Sequence, residues 1–435
     1  MKRKTVVAAL LTALIIINVV ACHANIDTND DAKPTKHNDG ETITVWAWDE
    51  NFNIKALHLA AQMYNEINPN TTIEIVNMAQ GDVIAALNTN LAAGIHEGLP
   101  NIVLIEDYRA PGYLNAFLHE FADLSGIASP SDFAEYKSAI SSINGSFYSI
   151  PFDSGVAAMF YRLDLVEAAG FTEADMQNIT WEEYIAIGIT IKETTGVDLL
   201  TLNPNDLGFI RMMIQSAGAW YTGPGGEITI AGNQALKDAF DITGQLMEAD
   251  VVRPISSWDQ FVGAFHDGLV ASVLTGCWIA PTISNANDQA GDWRIAAFPR
   301  MGANPDSVNA SALGGSSWYV LQNVTGVEAA LSFMEATFAS NVDLMNALAI
   351  EINLVSTLIA AESVENYSLD FDFFGGQEIL TLFAEWTNDI PAVDFGEHTY
   401  QIEEILITAL QRFLNGRDID TLFREYQTNA ESTLQ

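Results

Sequence analysis

The sequence predicts an α/β protein in which sheets are flanked by helices. Two observations carry this. From Thr42 onward, short strand-like runs alternate with helix-like runs, each closed by a turn or cap signal. The chain is also 49% apolar over 435 residues, enough to fill more than one core, and its length allows two to three domains at about 100–200 residues each.

The elements follow in order. Ile43-Thr-Val-Trp-Ala-Trp48 alternates in residues that favour strands. Lys55 to Ile67 carries Leu57, Ala60, Ala61, Tyr64 and Ile67 at helical spacing. Thr72 to Val76 reads as a strand, Asp82 to Ala93 as a helix stopping before Gly94, and Ile102 to Ile105 as a short buried strand after Pro100. This β-α-β-α-β order predicts a mostly parallel sheet with helices on both faces. After Ser149-Ile150-Pro151 the chain reads as helix-rich. Thr180-Trp181-Glu182-Glu183 is a capping-box signature opening a helix that stops at Gly196. Asn233 to Ala249, Asp259 to Gly268, Glu328 to Ser340 and Ile402 to Asn415 also read as helices, and no internal repeat is visible.

The N-terminus predicts export. Lys2, Arg3 and Lys4 precede an apolar run from Val6 to Val20, which is too short for a stable span of about 20 residues. Val19-Val20-Ala21-Cys22 looks like a bacterial lipobox, so residues 1–21 are expected to be removed and Cys22 to carry the lipid. Acyl chains anchor through roughly 0.8 kcal/mol per buried methylene. An ordinary secretory signal, with Cys22 incidental, is the blander alternative. Residues 22–41 have almost no apolar content and read as a flexible tether. The protein is expected at the outer face of a cell membrane, in a bacterium with a single membrane.

Charge narrows the partners. The chain has 18 Lys+Arg against 56 Asp+Glu, a net charge of -38. Without residues 1–21 three bases go and no acids, leaving 15 against 56, or -41. The acidity is mainly a shortage of bases, since charged residues make up 17% here against about 25% in ordinary proteins. Such a surface repels nucleic acid and suits saline or alkaline surroundings. With Cys22 lipidated, Cys277 has no intramolecular partner and the fold rests on its cores. The seven His residues show no ligand spacing, so neither a metal site nor a cofactor is expected. No phosphate-cradling glycine loop, G-x-S-x-G elbow or HExxH motif occurs.

Aromatic and carboxylate groups gather behind strand-like runs, where open α/β sheets bind ligands. Trp46, Trp48, Asp49 and Phe52 close the first. Glu106, Asp107, Tyr108 and Arg109 follow Ile105; Phe152, Asp153 and Ser154 follow Pro151; Gly276, Cys277 and Trp278 follow Thr275. Gly315, Ser316, Ser317 and Trp318 form a fifth group, ahead of a strand-like run. Flat indoles cover the apolar faces of a sugar and carboxylates accept bonds from its hydroxyls. Blander roles compete: Trp181 and Trp293 read as core, Trp46 fits sheet or cleft, Trp258 and Trp318 fit either, and Asp49, Glu106 and Asp107 could cap helices. Paired carboxylates could also hydrolyse a glycoside, but in so acidic a chain any pair is cheap, so no catalytic residue is assigned.

Taken together, ITVWAWDENFN (43–53), GLPNIVLIEDYRAPGYL (98–114), YSIPFDSGVAAMFYR (148–162), FHDGLVASVLTGCWI (265–279) and GGSSWYVL (314–321) resemble the extracellular solute-binding proteins of ABC transporters, the maltose-binding-type family 1. The arabinose/lactose-type branch is the nearest in appearance. F-x2-G-x2-A-x4-G-x-W from Phe265 to Trp278 is the most telling pattern. The resemblance implies a two-lobe periplasmic-binding-protein-like fold with mixed sheets and three interlobe crossings, near Pro151–Val156, Asn309–Gly314 and Ile352–Thr357. Lobe one would be 42–151 plus 313–354, and lobe two 152–312 plus 355–435. It implies a monomer that binds a mono- or oligosaccharide between its lobes and docks on permease subunits. The implied ligand residues are Trp48, Asp49, Glu106, Asp107, Tyr108, Asp153, Ser154, Trp258, Trp278, Gly315, Ser317 and Trp318. Two rivals stay open: a receptor for another solute such as a polyamine or peptide, and a secreted glycan-cleaving lipoprotein.

Overall fold

The computed structural model describes residues 41–223, 226–361 and 365–434. The leader, Cys22 and the tether up to residue 40 therefore lie outside the described residues, while Glu41, the last residue expected in the tether, opens the first strand. Among the described residues no helix is long and apolar enough to cross a membrane.

The strands, in chain order, are β1 Glu41–Ala47, β2 Thr71–Asn77, β3 Ile102–Glu106, β4 Ser142–Ile143, β5 Ser146–Phe147, β6 Ile150–Pro151, β7 Ala157–Arg162, β8 Leu200–Leu202, β9 Val252–Pro254, β10 Ser272–Gly276, β11 Trp293–Ala297 and β12 Ser316–Val320. Two sheets organise two lobes. The first runs β2-β1-β3-β12-β6 and the second β10-β7-β11. In the first, β1 pairs parallel with β2 and β3, while β12 pairs antiparallel with β3 and β6. In the second, β7 is antiparallel to both neighbours. The expectation of a mostly parallel sheet is thus corrected. β12 returns from the far lobe and enters the first sheet from the opposite end, which reverses its direction.

Side-chain alternation explains the layers. On β1, Ile43, Val45 and Ala47 enter a core with the helix Asn53–Ile67 and the helix Val342–Ile352. The opposite face is covered by the helix Gln80–Ala93, through Val83, Leu87 and Leu91. On β7, Ala157, Met159 and Tyr161 enter one core and Ala158 and Phe160 the other. The helix Trp181–Thr195 packs on the first of these. Its Thr180 side chain accepts from Glu183 N at 3.2 Å, Glu183 accepts from Thr180 N at 2.8 Å, and Gly196 closes it in the left-handed region. Trp181 and Trp293 are fully buried, in line with their core reading. The helices Thr399–Leu414 and Ile419–Leu434 close this lobe through Leu406, Leu410 and Phe423.

The chain passes from the first lobe to the second between β6 and β7 and returns ahead of β12. Around the expected third passage the two cores interleave, with Val355 already in a core of the second lobe. Leu354, Leu358 and Ala361 pack in the first lobe's core, and Leu358 bridges to Phe133. Tyr367 and Phe374 belong to the second.

Candidate functional site

A cleft of about 990 Å³ opens between the lobes. Its first-lobe wall is the carboxyl end of β1, of β2 and of β3, where parallel strands expose their turns. Trp48 and Asp49 follow β1, Asn77 ends β2 and Glu106 ends β3. Asp49 holds a left-handed backbone, φ +65°, because it turns the chain into the helix Asn53–Ile67. Its Oδ1 accepts from Asn51 N at 3.0 Å and its carbonyl from Ile54 N at 3.0 Å. Burial raises its pKa above the usual carboxylate value.

The opposite wall comes from the helix Trp258–His266 and the turn after β10. Trp258 is 52% exposed, and its ring lies 6.0 Å from that of the half-buried Trp278, tilted by 34°. Trp278 is anchored by its Nε1, which donates to the Leu313 carbonyl at 2.8 Å. Gly276 makes this possible. A Cβ there would fall 2.2 Å from Trp278 Nε1 and 2.4 Å from the Leu313 oxygen, so any side chain would displace the indole.

The floor is the crossing itself. Gly314, Gly315 and Ser316 face the cleft beside Asp153. Asp153 Oδ1 accepts from Ser316 N at 2.8 Å and Ser316 Oγ at 2.9 Å, joining the first crossing to the second. Gly315 has φ +88°, and a Cβ there would meet Asp107 Oδ2 at 2.7 Å.

Trp48, Asp49, Glu106, Asp153, Trp258, Trp278 and Gly315 are thus brought together, and five other expected residues lie elsewhere. Asp107 is buried in an ion pair with Lys137, whose Nζ also donates to the Ser316 carbonyl at 3.1 Å. Burial pushes the Asp107 pKa up to about 6, against the pull of Lys137. Ser317 donates to Asp107 Oδ1 at 3.1 Å from beneath the floor. The Oγ of Ser154 is 3.3 Å from Val156 N and 3.8 Å from the sulfur of Cys277, whose thiol burial pushes up to about 12. Trp318 is fully buried between Phe152 and Phe338. Ligands meet strand ends, and one pleat in from Ser316 the same face is already core. Tyr108 leaves its lobe and stacks on Trp220 of the other, with centroids 5.6 Å apart.

The sequence reading passed over Asn53, Asn77, Gln80, His266, Thr282 and Asn285, which also line the cleft. Asn77 carried a usable signal, since it ends a strand whose neighbours were already marked. His266 Nε2 donates to the Thr282 carbonyl at 2.7 Å, so that ring tethers two lining helices together. Among the described residues no group of three His, Cys, Asp or Glu could hold a metal.

Comparisons with known proteins identify the family and the fold. The family model for bacterial extracellular solute-binding proteins matches residues 60–370. A lactose-binding protein of Rhizobium radiobacter is 39% identical over 393 residues, 90% of this chain and 93% of that protein. An arabinooligosaccharide-binding protein of Bacillus subtilis is 24% identical over 346 residues, 77% of this chain and 76% of its own. Among solved structures, the GacH receptor of Streptomyces glaucescens has a TM-score of 0.76 at 18% identity, covering 90% of this chain and 98% of that one. The galacto-N-biose-/lacto-N-biose I-binding protein of Bifidobacterium longum has a TM-score of 0.72 at 21% identity, covering 92% and 98%. At such identities the structures speak to the fold, which is their two-lobe fold.

Proposed function

The chain belongs to the bacterial extracellular solute-binding proteins, and from that premise we propose that it is a carbohydrate receptor. It binds a mono- or short oligosaccharide in the 990 Å³ cleft and delivers it to an ABC importer. One observation carries the reading: the Trp258–Trp278 pair faces Trp48 and Asp49 across the cleft. Indoles stack on the C–H faces of a sugar while carboxylates and amides take its hydroxyls. The 39% identical relative, a lactose-binding protein, supports the same class. The volume lies within the roughly 300–1,000 Å³ usual for sites that enclose a small ligand.

A polyamine is the rival that one observation favours. Among the described residues lining the cleft there is no Lys or Arg, while Asp49, Glu50, Glu106 and Asp153 are present. Those carboxylates are already engaged, however. Asp153 accepts from Ser316, Glu106 from Tyr400, Glu50 from Asn77, and Asp49 from its own turn. Apart from Arg109 beside Glu106 the donors are neutral and leave the charge in place, so the choice of a saccharide rests on the indole pair and the lactose-binding relative.

In this reading Trp48, Asp49, Glu106, Asp153, Trp258, Trp278, Gly315 and Ser316 form the binding surface. Asp107, Ser154 and Ser317 hold its floor, and Trp318 the sheet beneath. The lobes divide near residues 151 and 313 and along the interleaved segment 355–361. Cys22 carries the lipid anchor, the protein works as a monomer at the outer membrane face, and sugar draws the lobes together for the permease. Calorimetric titration with lactose, arabino-oligosaccharides and spermidine tests the class. A micromolar saccharide, about -8 kcal/mol, is expected. Binding of spermidine with no saccharide bound overturns the reading.

A further inference from the structure

Glu106 ends β3 and lines the cleft, and the partners of its carboxylate come from both lobes. They converge on one oxygen. Oε2 accepts from the hydroxyl of Tyr400 and from Gln80 Nε2 at 3.4 Å, and Arg109 Nε lies 3.6 Å from it as an ion pair. Among the described residues no hydrogen bond reaches Oε1. Gln80 and Arg109 share the lobe of Glu106, whereas Tyr400 stands in the first turn of the helix Thr399–Leu414 of the second lobe. Tyr400 is itself held. Arg211 Nη1 donates to its hydroxyl oxygen at 3.1 Å, and the guanidinium of Arg109 lies over its ring, 3.8 Å from the centroid. Arg211 is buried and forms an ion pair, at 3.1 Å, with Glu403, one turn further along the same helix. These contacts fix a direction. A guanidinium only donates, so the phenol oxygen accepts from Arg211 and its one proton goes to Glu106. Burial raises the Tyr400 pKa, which keeps that proton on the phenol.

We propose that Tyr400 is a positioning residue for ligand binding: from the second lobe it pins Oε2 of Glu106 and leaves Oε1 as the acceptor that meets a sugar hydroxyl. The inference rests on the carbohydrate reading above and deepens it, by naming a residue that does not line the cleft and acts through one that does. A carboxylate free to rotate presents either oxygen and loses that freedom when a ligand binds. One held by a charge-assisted hydrogen bond is already oriented, so less is lost. The donor and the acceptor stand in different lobes, so Glu106 is presented in this way only where the lobes meet as they do here.

The test is a double-mutant cycle. Whichever of lactose and the arabino-oligosaccharides binds wild type is titrated by calorimetry into wild type, Tyr400→Phe, Glu106→Gln and the double variant. Tyr400→Phe keeps the ring under Arg109 and removes only the hydroxyl; it should weaken binding about tenfold. Glu106→Gln should weaken it by about tenfold or more, because the donors Tyr400 and Gln80 hold the amide oxygen in the place of Oε2 and put the amide NH2 where Oε1 stood. In the Glu106→Gln background Tyr400→Phe should then cost less than about threefold. A Tyr400→Phe protein that binds within about twofold of wild type overturns the proposal. So does an equal loss in both backgrounds, which would make the hydroxyl a structural support independent of Glu106. If Tyr400→Phe does not fold, Glu106→Gln still decides: an affinity equal to that of wild type means that the orientation of this carboxylate is without consequence. If none of these saccharides binds wild type, the carbohydrate reading itself falls, an outcome distinct from a cycle without coupling.

Discussion

Replacing Trp278 separates its two roles, since its ring faces the cleft while its Nε1 holds the second crossing through Leu313. A buried aromatic anchor contributes about 2 kcal/mol or more to binding, and a hydrogen bond contributes about 1 kcal/mol net. Trp278→Ala should therefore cost about 2–3 kcal/mol of affinity, roughly 30- to 150-fold. Trp278→Phe keeps a flat ring and loses the bond, so a loss of roughly fivefold is expected. Because Trp278 is only half-buried, its removal should cost stability about 1–3 kcal/mol, below the 3–5 kcal/mol of a fully enclosed ring. Trp318, with no exposure, supplies that upper case: Trp318→Ala should lose about 3–5 kcal/mol of stability. Calorimetry with lactose, paired with urea unfolding of each variant, measures both quantities. Two results would refute the reasoning. One is a Trp278→Ala protein that binds within threefold of wild type. The other is an affinity loss accompanied by a stability loss beyond about 4 kcal/mol, which would mark Trp278 as core.

Other consequences are open to direct measurement. Cys22→Ser should abolish labelling by a fatty-acid probe and release the protein or leave it unprocessed; a variant still membrane-bound at normal mature mass contradicts the anchor. With 18 bases against 56 acids, self-repulsion opposes the compact state, and the screening length falls from about 8 Å at 0.15 M to about 3 Å at 1 M. Sodium chloride should then raise the melting temperature and leave saccharide affinity almost unchanged, whereas a flat or falling melting temperature defeats the argument. Asp107 gives a pH signature. Burial raises its folded pKa to about 6 from an ordinary 3.8, so its contribution is present below the lower value and lost as pH rises through the higher one. Asp107→Asn cannot titrate, so wild type should lose stability relative to it as pH rises from about 4 to 6; a difference independent of pH in that window refutes the assignment.

What the sequence made legible were the features that act locally. The strand at Ile43 announces itself by alternation, and the helix Trp181–Thr195 by a capping box and a left-handed glycine, all within a few residues. β7 and β11 escaped because most of each strand is buried. Such runs have no alternation to read, and β7 sits in a stretch that reads as helix-rich. The site divides the same way. Trp48, Asp49 and Glu106, which line the cleft, were marked because strand ends are where ligands meet an α/β sheet. Asp107 and Tyr108 are their immediate neighbours in sequence, and only long-range partners decide that they face inward. Lys137 is 30 residues from Asp107, and Trp220 is supplied by the other lobe. Nothing local to Asp107 or Tyr108 distinguishes a ligand acceptor from half of an ion pair.

The shortage of bases makes their placement informative. Of 18 Lys and Arg in the chain, Lys137, Arg109 and Arg211 lie where the lobes meet, each beside a carboxylate: Asp107, Glu106 and Glu403. A buried charge is costly unless paired and hydrogen-bonded. Lys137 has no exposed side chain, yet its second bond runs to Ser316 in the floor of the cleft. These cations therefore counter, at the junction, the repulsion that the acidic surface exerts everywhere else. They do so without entering the cleft, whose described lining holds no Lys or Arg. The division leaves a rigid floor supported by ion pairs from below and a binding surface of indoles, amides and partly engaged carboxylates above. A neutral polyhydroxylated ligand has no charge to be repelled by the acids or displaced by salt, and it can use every kind of group that surface presents.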